Sequence, residues 1–115
     1  TGSFMVQLNW TAPARQDLQD IFRYYDALSH EVATSYAEEL LKAGDDLEQM
    51  PEMGQKEPTL ENLGRNYRYL LVLRRYKLIY LYENNACSIL MIWDCKKNPK
   101  TMRKKIRKRQ DNSRN

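Results

Sequence analysis

Along this chain the spacing of apolar residues changes from two to about 3.6 and then back to two, which fixes the kinds of elements that can form and their order. From Val6 to Trp10, the apolar Val6, Leu8 and Trp10 alternate with Gln7 and Asn9, predicting a short strand with one wet face. Between Pro13 and Met50 the pattern is helical. Ala14, Leu18, Ile21, Phe22 and Tyr25 share one stripe, and Arg15, Asp17, Gln19, Asp20 and Arg23 lie off it. Pro13 suits a first helical turn, where its missing N–H is no loss. Ser29 reads as the cap of a second helix with an apolar face of Ala33, Tyr36, Ala37, Leu40, Leu47 and Met50, stopped by Pro51 and Gly54. Together they predict an antiparallel hairpin. Asp26, Glu31, Glu38, Glu39, Asp45, Asp46 and Glu48 give it an acidic, solvated outer face.

A polar stretch from Glu52 to Asn66 leads into three alternating segments, Tyr67 to Arg74, Tyr76 to Glu83 and Cys87 to Asp94. Asn84, Asn85 and Ala86 separate the last two, and Asn tolerates the left-handed backbone of a tight hairpin. Tyr76, Leu78, Tyr80 and Tyr82 fall on one face of the second segment. The third puts Ile89, Met91 and Trp93 on one side and Leu90 and Ile92 on the other, the mark of a central strand buried on both faces. The expected fold is α+β: an N-terminal strand, a helical hairpin over one face of a three-strand antiparallel meander, and a basic C-terminal tail. With 115 residues the chain makes one domain. Residues 5–102 form that domain, residues 1–4 read as a cloning remnant before Met5, and residues 103–115 read as a frayed or disordered tail.

Charge is divided unevenly along this fold. Residues 1–62 hold 4 Lys+Arg and 12 Asp+Glu, whereas residues 63–115 hold 15 and 3, so the halves carry −8 and +12. A clustered positive field draws polyanions, and the basic half is expected to meet nucleic acid or an acidic protein. No apolar run approaches the ~20 residues that cross a bilayer, and the N-terminus lacks a secretory pattern, so a cytoplasmic protein without a membrane partner is expected. Cys87 and Cys95, eight positions apart in one expected strand, would lie ~26 Å apart, too far for a disulfide. Both read as free thiols, with Cys87 packed in the interior.

Nothing in the sequence points to a cofactor or a metal: it has no Gly-rich phosphate loop, no CxxC pair and one histidine, His30, at a helix entrance. A Ser-His-Asp or Cys-His triad would need that residue, and its acidic surroundings offer no nucleophile. A basic, aromatic surface remains: Arg68, Arg74, Arg75, Tyr76 and Lys77, then Lys96 and Lys97. These residue types neutralise phosphates and stack bases, which suits single-stranded RNA. They equally suit a sheet edge that charges merely solvate, with Tyr76 half-buried.

The succession Trp10, Ala14, Asp17-Leu18, Ile21, Tyr24-Tyr25, Ala37, Leu40-Leu41, Leu47, Pro51-Glu52-Met53-Gly54, Tyr67-Arg68-Tyr69-Leu70, Tyr76-Lys77-Leu78-Ile79-Tyr80 and Ile92-Trp93-Asp94 resembles the RelE/ParE superfamily of type II toxin-antitoxin toxins. The resemblance spans residues 5–102. It implies a growth-inhibiting toxin whose partner is a small acidic antitoxin that folds on contact. Within the superfamily, ParE-like members poison DNA gyrase, and RelE-like members cut messenger RNA on the ribosome without a metal. Such cleavage needs a base, cations on the phosphorane and an acid. On that arm the resemblance makes Lys77, Lys96 and Lys97 catalytic candidates, replaceable without harm to the fold, while Arg68, Arg74, Arg75, Tyr76 and Arg103 bind nucleic acid or target. The C-terminal segment Thr101-Met102-Arg103-Lys104 has neither the Tyr nor the His of many active nucleases. Lys for Arg also forfeits bidentate phosphate contact. With the long hairpin and the Pro51–Gly54 turn, this inclines the resemblance toward the gyrase arm. A non-toxic descendant that binds a partner or nucleic acid is the third reading.

Overall fold

The computed structural model describes residues 6–113, with side chains through Gln110. The expected remnant at residues 1–4 and the start at Met5 lie outside the described residues. Strand β1 (Gln7–Trp10) leads into helices α1 (Ala12–Asp26) and α2 (His30–Asp46). Strands β2 (Gln55–Lys56), β3 (Tyr67–Val72), β4 (Tyr76–Glu83) and β5 (Ala86–Asp94) follow, then helix α3 (Met102–Ser113). The strands form one sheet in the order β1-β5-β4-β3-β2. β1 runs parallel to β5, and every other pairing is antiparallel. The predicted meander is thus the centre of a five-stranded sheet, and β5 is interior, as its two apolar faces require.

The helix starts are where the caps place them. Thr11 Oγ1 accepts from the Ala14 amide at 3.4 Å and donates to the Ile89 carbonyl at 2.8 Å, so one hydroxyl caps α1 and ties it to β5. Ser29 Oγ accepts from Val32 N at 3.2 Å and opens α2. Helix α2 stops earlier than the apolar spacing predicts. Leu47 is its cap and is buried, whereas Met50, expected on the apolar face, is 59% exposed. The chain turns there because the Glu48 carbonyl accepts from Val6 N at 3.0 Å, closing the hairpin onto β1. β3 also ends early, at Val72 rather than Arg74. Leu73 and Arg74 take φ of 58° and 55°, a conformation that costs ~1 kcal/mol or more per non-glycine residue. They make the turn that brings Val72 opposite Tyr76. The β4–β5 turn is the expected Asn84-Asn85 pair, at φ 53° and 61°.

Each face of the sheet has its own core. The hairpin covers one face, where Ala14, Tyr25, Ala33, Leu40 and Leu47 meet Leu78, Tyr80, Cys87, Ile89 and Ile92. On the other face, Leu60, Met102 and Ile106 pack on Tyr67, Ile79, Leu81, Leu90, Met91 and Trp93. Strict alternation along β5 would put Ile89, Met91 and Trp93 together. A β-bulge breaks it: Ile79 pairs with Met91 but Tyr80 with Ile89, leaving Leu90 as the extra residue. Ile89 therefore joins Ile92 under the hairpin, and Leu90 joins Met91 and Trp93 on the opposite side.

Two stretches read as irregular are structured. Within Glu52–Asn66, β2 pairs with β3, and a 3-10 segment over Pro58–Leu63 buries Leu60. The segment expected to fray beyond residue 102 forms α3, with Met102 and Ile106 fully buried. A run so rich in Lys and Arg is helical because two apolar residues four apart find a sheet face lacking cover. The thiols are unpaired: Cys87 is buried, which pushes its pKa up to about 11, and Cys95 is exposed.

The Pro51–Gly54 turn is clasped by the buried Tyr80 hydroxyl, which donates to the Pro51 carbonyl at 2.7 Å and accepts from Gly54 N at 3.0 Å. Burial raises the pKa of this phenol to about 12, so it keeps its proton. A Cβ on Gly54 would sit 2.6 Å from that hydroxyl and 2.7 Å from the Tyr69 carbonyl oxygen. Since the carbonyl belongs to a paired strand, Gly54→Ala should destabilise the protein by about 1–3 kcal/mol, measurable as a lower urea midpoint with an unchanged slope.

Candidate functional site

The structure scatters the cations that sequence reasoning grouped, and most of them have internal partners. Arg68 stands on β3 with a side chain only 15% exposed. Its guanidinium donates to the Gly54 carbonyl at 2.7 Å, the Glu52 carbonyl at 3.2 Å and Asn66 Oδ1 at 3.2 Å, with the Glu52 carboxylate 3.9 Å away. Like Tyr80, its partner across β3 and β4, it holds the Pro51–Gly54 turn. Lys77 Nζ lies 2.7 Å from Glu57 Oε1 and 4.3 Å above the Tyr69 ring. Glu57 is wholly buried, and its other oxygen accepts from Thr59 N at 2.9 Å, so Lys77 is the counter-ion of an interior carboxylate.

Arg75 grips Asp94 across the end of the sheet at 3.1 and 3.4 Å, and its guanidinium lies 5.5 Å from the centroid of the Tyr76 ring. Tyr76 is 4% exposed, with its hydroxyl 3.1 Å from that of Tyr25. Burial and then the Tyr25 bond raise its pKa far above neutrality, which removes it as a base. Arg103, at the start of α3, donates to the Thr59 carbonyl at 3.3 Å. Of the sequence-predicted residues, Arg74, Lys96 and Lys97 are exposed and have no carboxylate partner among the described residues. His30 is exposed and bonds Asp26 at 2.7 Å.

The chain does assemble polar groups where α1, β5 and α3 meet. Asp17 Oδ2 accepts from Ile92 N at 3.0 Å, and Arg109 makes two bonds to the same carboxylate, at 2.8 and 2.9 Å, while also donating to the Leu90 carbonyl at 2.7 Å. Beside this knot lies an open cavity of about 340 Å³, walled by Tyr24 and Ile21 of α1, Arg75 and Asp94, and Lys97 and Lys105. A second groove of about 370 Å³ continues along α3 over Trp93, between Lys97, Thr101, Lys104, Lys105 and Lys108. Sequence reasoning missed Asp17, Glu57 and Arg109. Glu57 carried a faint signal as an acid before Pro58 in the position of a cap; Asp17 entered only as a charge off the helical stripe and as part of the family resemblance, and Arg109 lay in the segment expected to fray. Among the described residues, no three His, Cys, Asp or Glu side chains come together as a metal site would require.

A strand, a helical hairpin and an antiparallel sheet in this order make the fold of a small α+β toxin of the RelE/ParE type. Residues 8–99 match the model of the family described as the ParE toxin of type II toxin-antitoxin system, parDE, and the chain belongs to that family. Helix α3 follows the matched stretch. No curated protein matches the chain. Among solved structures it is similar to one described as a chromosomal ParDE toxin-antitoxin system from P. aeruginosa, at 23% identity and a TM-score of 0.63, covering 78% of this chain and 96% of that one. That likeness is one of fold.

Two outcomes follow from these pairings. Lys77→Ala, expected from sequence to spare the fold, should instead cost about 3 kcal/mol by stranding the Glu57 carboxylate, and the double substitution Lys77→Met/Glu57→Leu should recover most of the loss in a denaturant melt. Acid should also weaken the fold. Burial alone would raise the pKa of Asp94, but its bonds from Arg75 and the Lys96 amide hold it below the ordinary 3.8, and the bond from Arg65 holds Glu83 below 4.5. Both are charged in the folded chain where the unfolded chain would take up protons. Their contribution is therefore full above the ordinary values and lost as pH falls through the folded ones. The melting temperature should drop below about pH 4, and less steeply in Arg65→Gln/Arg75→Gln.

Proposed function

We propose that this chain is the toxin of a type II toxin-antitoxin module and that it arrests growth by binding a protein target, DNA gyrase, rather than by cutting messenger RNA. The observation that carries the choice is the state of the two strand cations on which cleavage would draw. Arg68 is bound to the carbonyls of the Pro51–Gly54 turn and Lys77 to the interior carboxylate of Glu57, so neither is free to meet a phosphorane. Lys96 and Lys97 have no ion-pair partner among the described residues, but the carboxylates beside Lys97 are engaged elsewhere, Asp94 by Arg75 and Asp17 by Arg109, while Tyr76 is buried against Tyr25 and His30 lies at the hairpin turn. Protein recognition needs no such constellation.

Family membership supports the toxin reading and implies an antitoxin, as does the toxin-antitoxin system named for the structural neighbour. The partner that suits this surface is an acidic, amphipathic segment that folds as it binds, because Lys97, Lys104, Lys105 and Lys108 share one groove without a carboxylate partner among the described residues.

The deciding experiment runs the purified protein in two assays. In a supercoiling reaction with purified gyrase it should block the formation of supercoiled plasmid. In a reconstituted translation reaction, primer extension should find the message intact. Cuts at defined codon positions seen only with ribosomes would overturn the reading, as would unimpeded supercoiling.

A further inference from the structure

Part of the positive charge that the interior does not consume lines a single groove. Arg65, Arg68, Arg75, Lys77 and Arg109 each pair with a carboxylate. Lys97, Lys104, Lys105 and Lys108, which border the groove along α3, have none among the described residues. Asp94, which lines the adjoining cavity with Lys97, is already taken by Arg75 at 3.1 Å. Four ammonium groups held side by side repel one another, and a helix tolerates them best with a polyanion against it.

We propose that this groove, between the end of β5 and the outer face of α3, binds the phosphate backbone of duplex DNA. The inference rests on the lysines alone and is independent of the gyrase reading. Three features select this occupant. Lysine is a compact point charge suited to phosphate oxygens, and all four cations of the groove are lysines. The helix presents Lys104 and Lys108 one turn apart on one side, with Lys105 next to them, so that its row of charge can follow a rigid, regularly charged backbone. The groove also lacks the open ring on which a single strand would stack its bases: its aromatic residue, Trp93, is 4% exposed. Tyr24 is exposed across the neighbouring cavity, but it shares that wall with the carboxylates of Asp17 and Asp20, which repel phosphates. Such binding reads no sequence, because it touches no base edge. It would keep the protein close to DNA-bound targets.

The test is fluorescence anisotropy with a labelled duplex of mixed sequence and a single strand of equal length, over a salt series. With four phosphates neutralised, the logarithm of the duplex binding constant should fall against the logarithm of salt concentration with a slope of about −3 to −4. Lys104→Gln/Lys108→Gln should make the slope shallower by about 2, and Lys97→Gln/Lys105→Gln should do the same. Lys42→Gln, on the acidic hairpin, should leave it unchanged. All of these substitutions are at exposed positions, and an unaltered thermal melt verifies the fold. Absence of duplex binding at 50 mM salt (about the low end of the usual range), equal loss in the Lys42 variant, or tighter binding to the single strand would overturn the proposal.

Discussion

The edge of β5 beyond Ile89 is the constraint around which this molecule is arranged. β1 stops at Trp10, opposite Ile89, so past that point the interior strand has lost its neighbour on one side. The Ile92 amide and the Leu90 carbonyl still need partners, since a buried backbone group left unpaired costs as much as a lost hydrogen bond. Asp17 supplies the acceptor and Arg109 the donor, and their two-bonded ion pair joins the two side chains. One residue comes from the first helix and the other from the last. The repair of the strand edge therefore fixes where α1 lies, and it brings α3 to the end of the sheet.

The bulge at Leu90 belongs to the same region. It shifts the alternation of β5 so that Cys87, Ile89 and Ile92 face the hairpin while Leu90, Met91 and Trp93 face α3. Both faces are thereby supplied with large apolar side chains, and both must be covered. The hairpin covers one. The Pro58–Leu63 segment and α3 cover the other, with Leu60, Met102 and Ile106 as the buried contacts.

The bipolar charge of the sequence takes on a different meaning in three dimensions. Several cations of the basic half have internal partners: Arg68 holds a turn, Lys77 neutralises Glu57, Arg75 ties the β3–β4 turn to β5 through Asp94, and Arg109 closes the strand edge. Of the cations without a carboxylate partner among the described residues, Lys97, Lys104, Lys105 and Lys108 share one groove, a smaller cluster than the count of charges implied. A residue type and its position in a strand do not reveal whether its charge is spent within the protein. Arg68 and Lys77, singled out from the sequence, spend their charge on the Gly54 carbonyl and on Glu57.

By itself the sequence determined the elements and their order. The change of hydrophobic period located β1, the hairpin, β4 and β5, Pro13 and Ser29 mark the starts of the helices because their effects act within one turn, and Asn84-Asn85 makes its turn for local reasons of φ. The resemblance to RelE/ParE toxins, carried by motifs spread over residues 5–102, was legible too, because those motifs are largely the buried and half-buried positions of these elements. Only the tertiary structure decided the rest. The parallel pairing of β1 with β5, the end of α2 at Asp46, the bulge at Leu90 and the docking of α3 all depend on contacts between residues far apart in the chain. Asp17 and Arg109 are separated by 92 positions, and no local pattern distinguishes them from solvated helix charges. Their role comes from the one place in the fold where a strand edge is left without a neighbour.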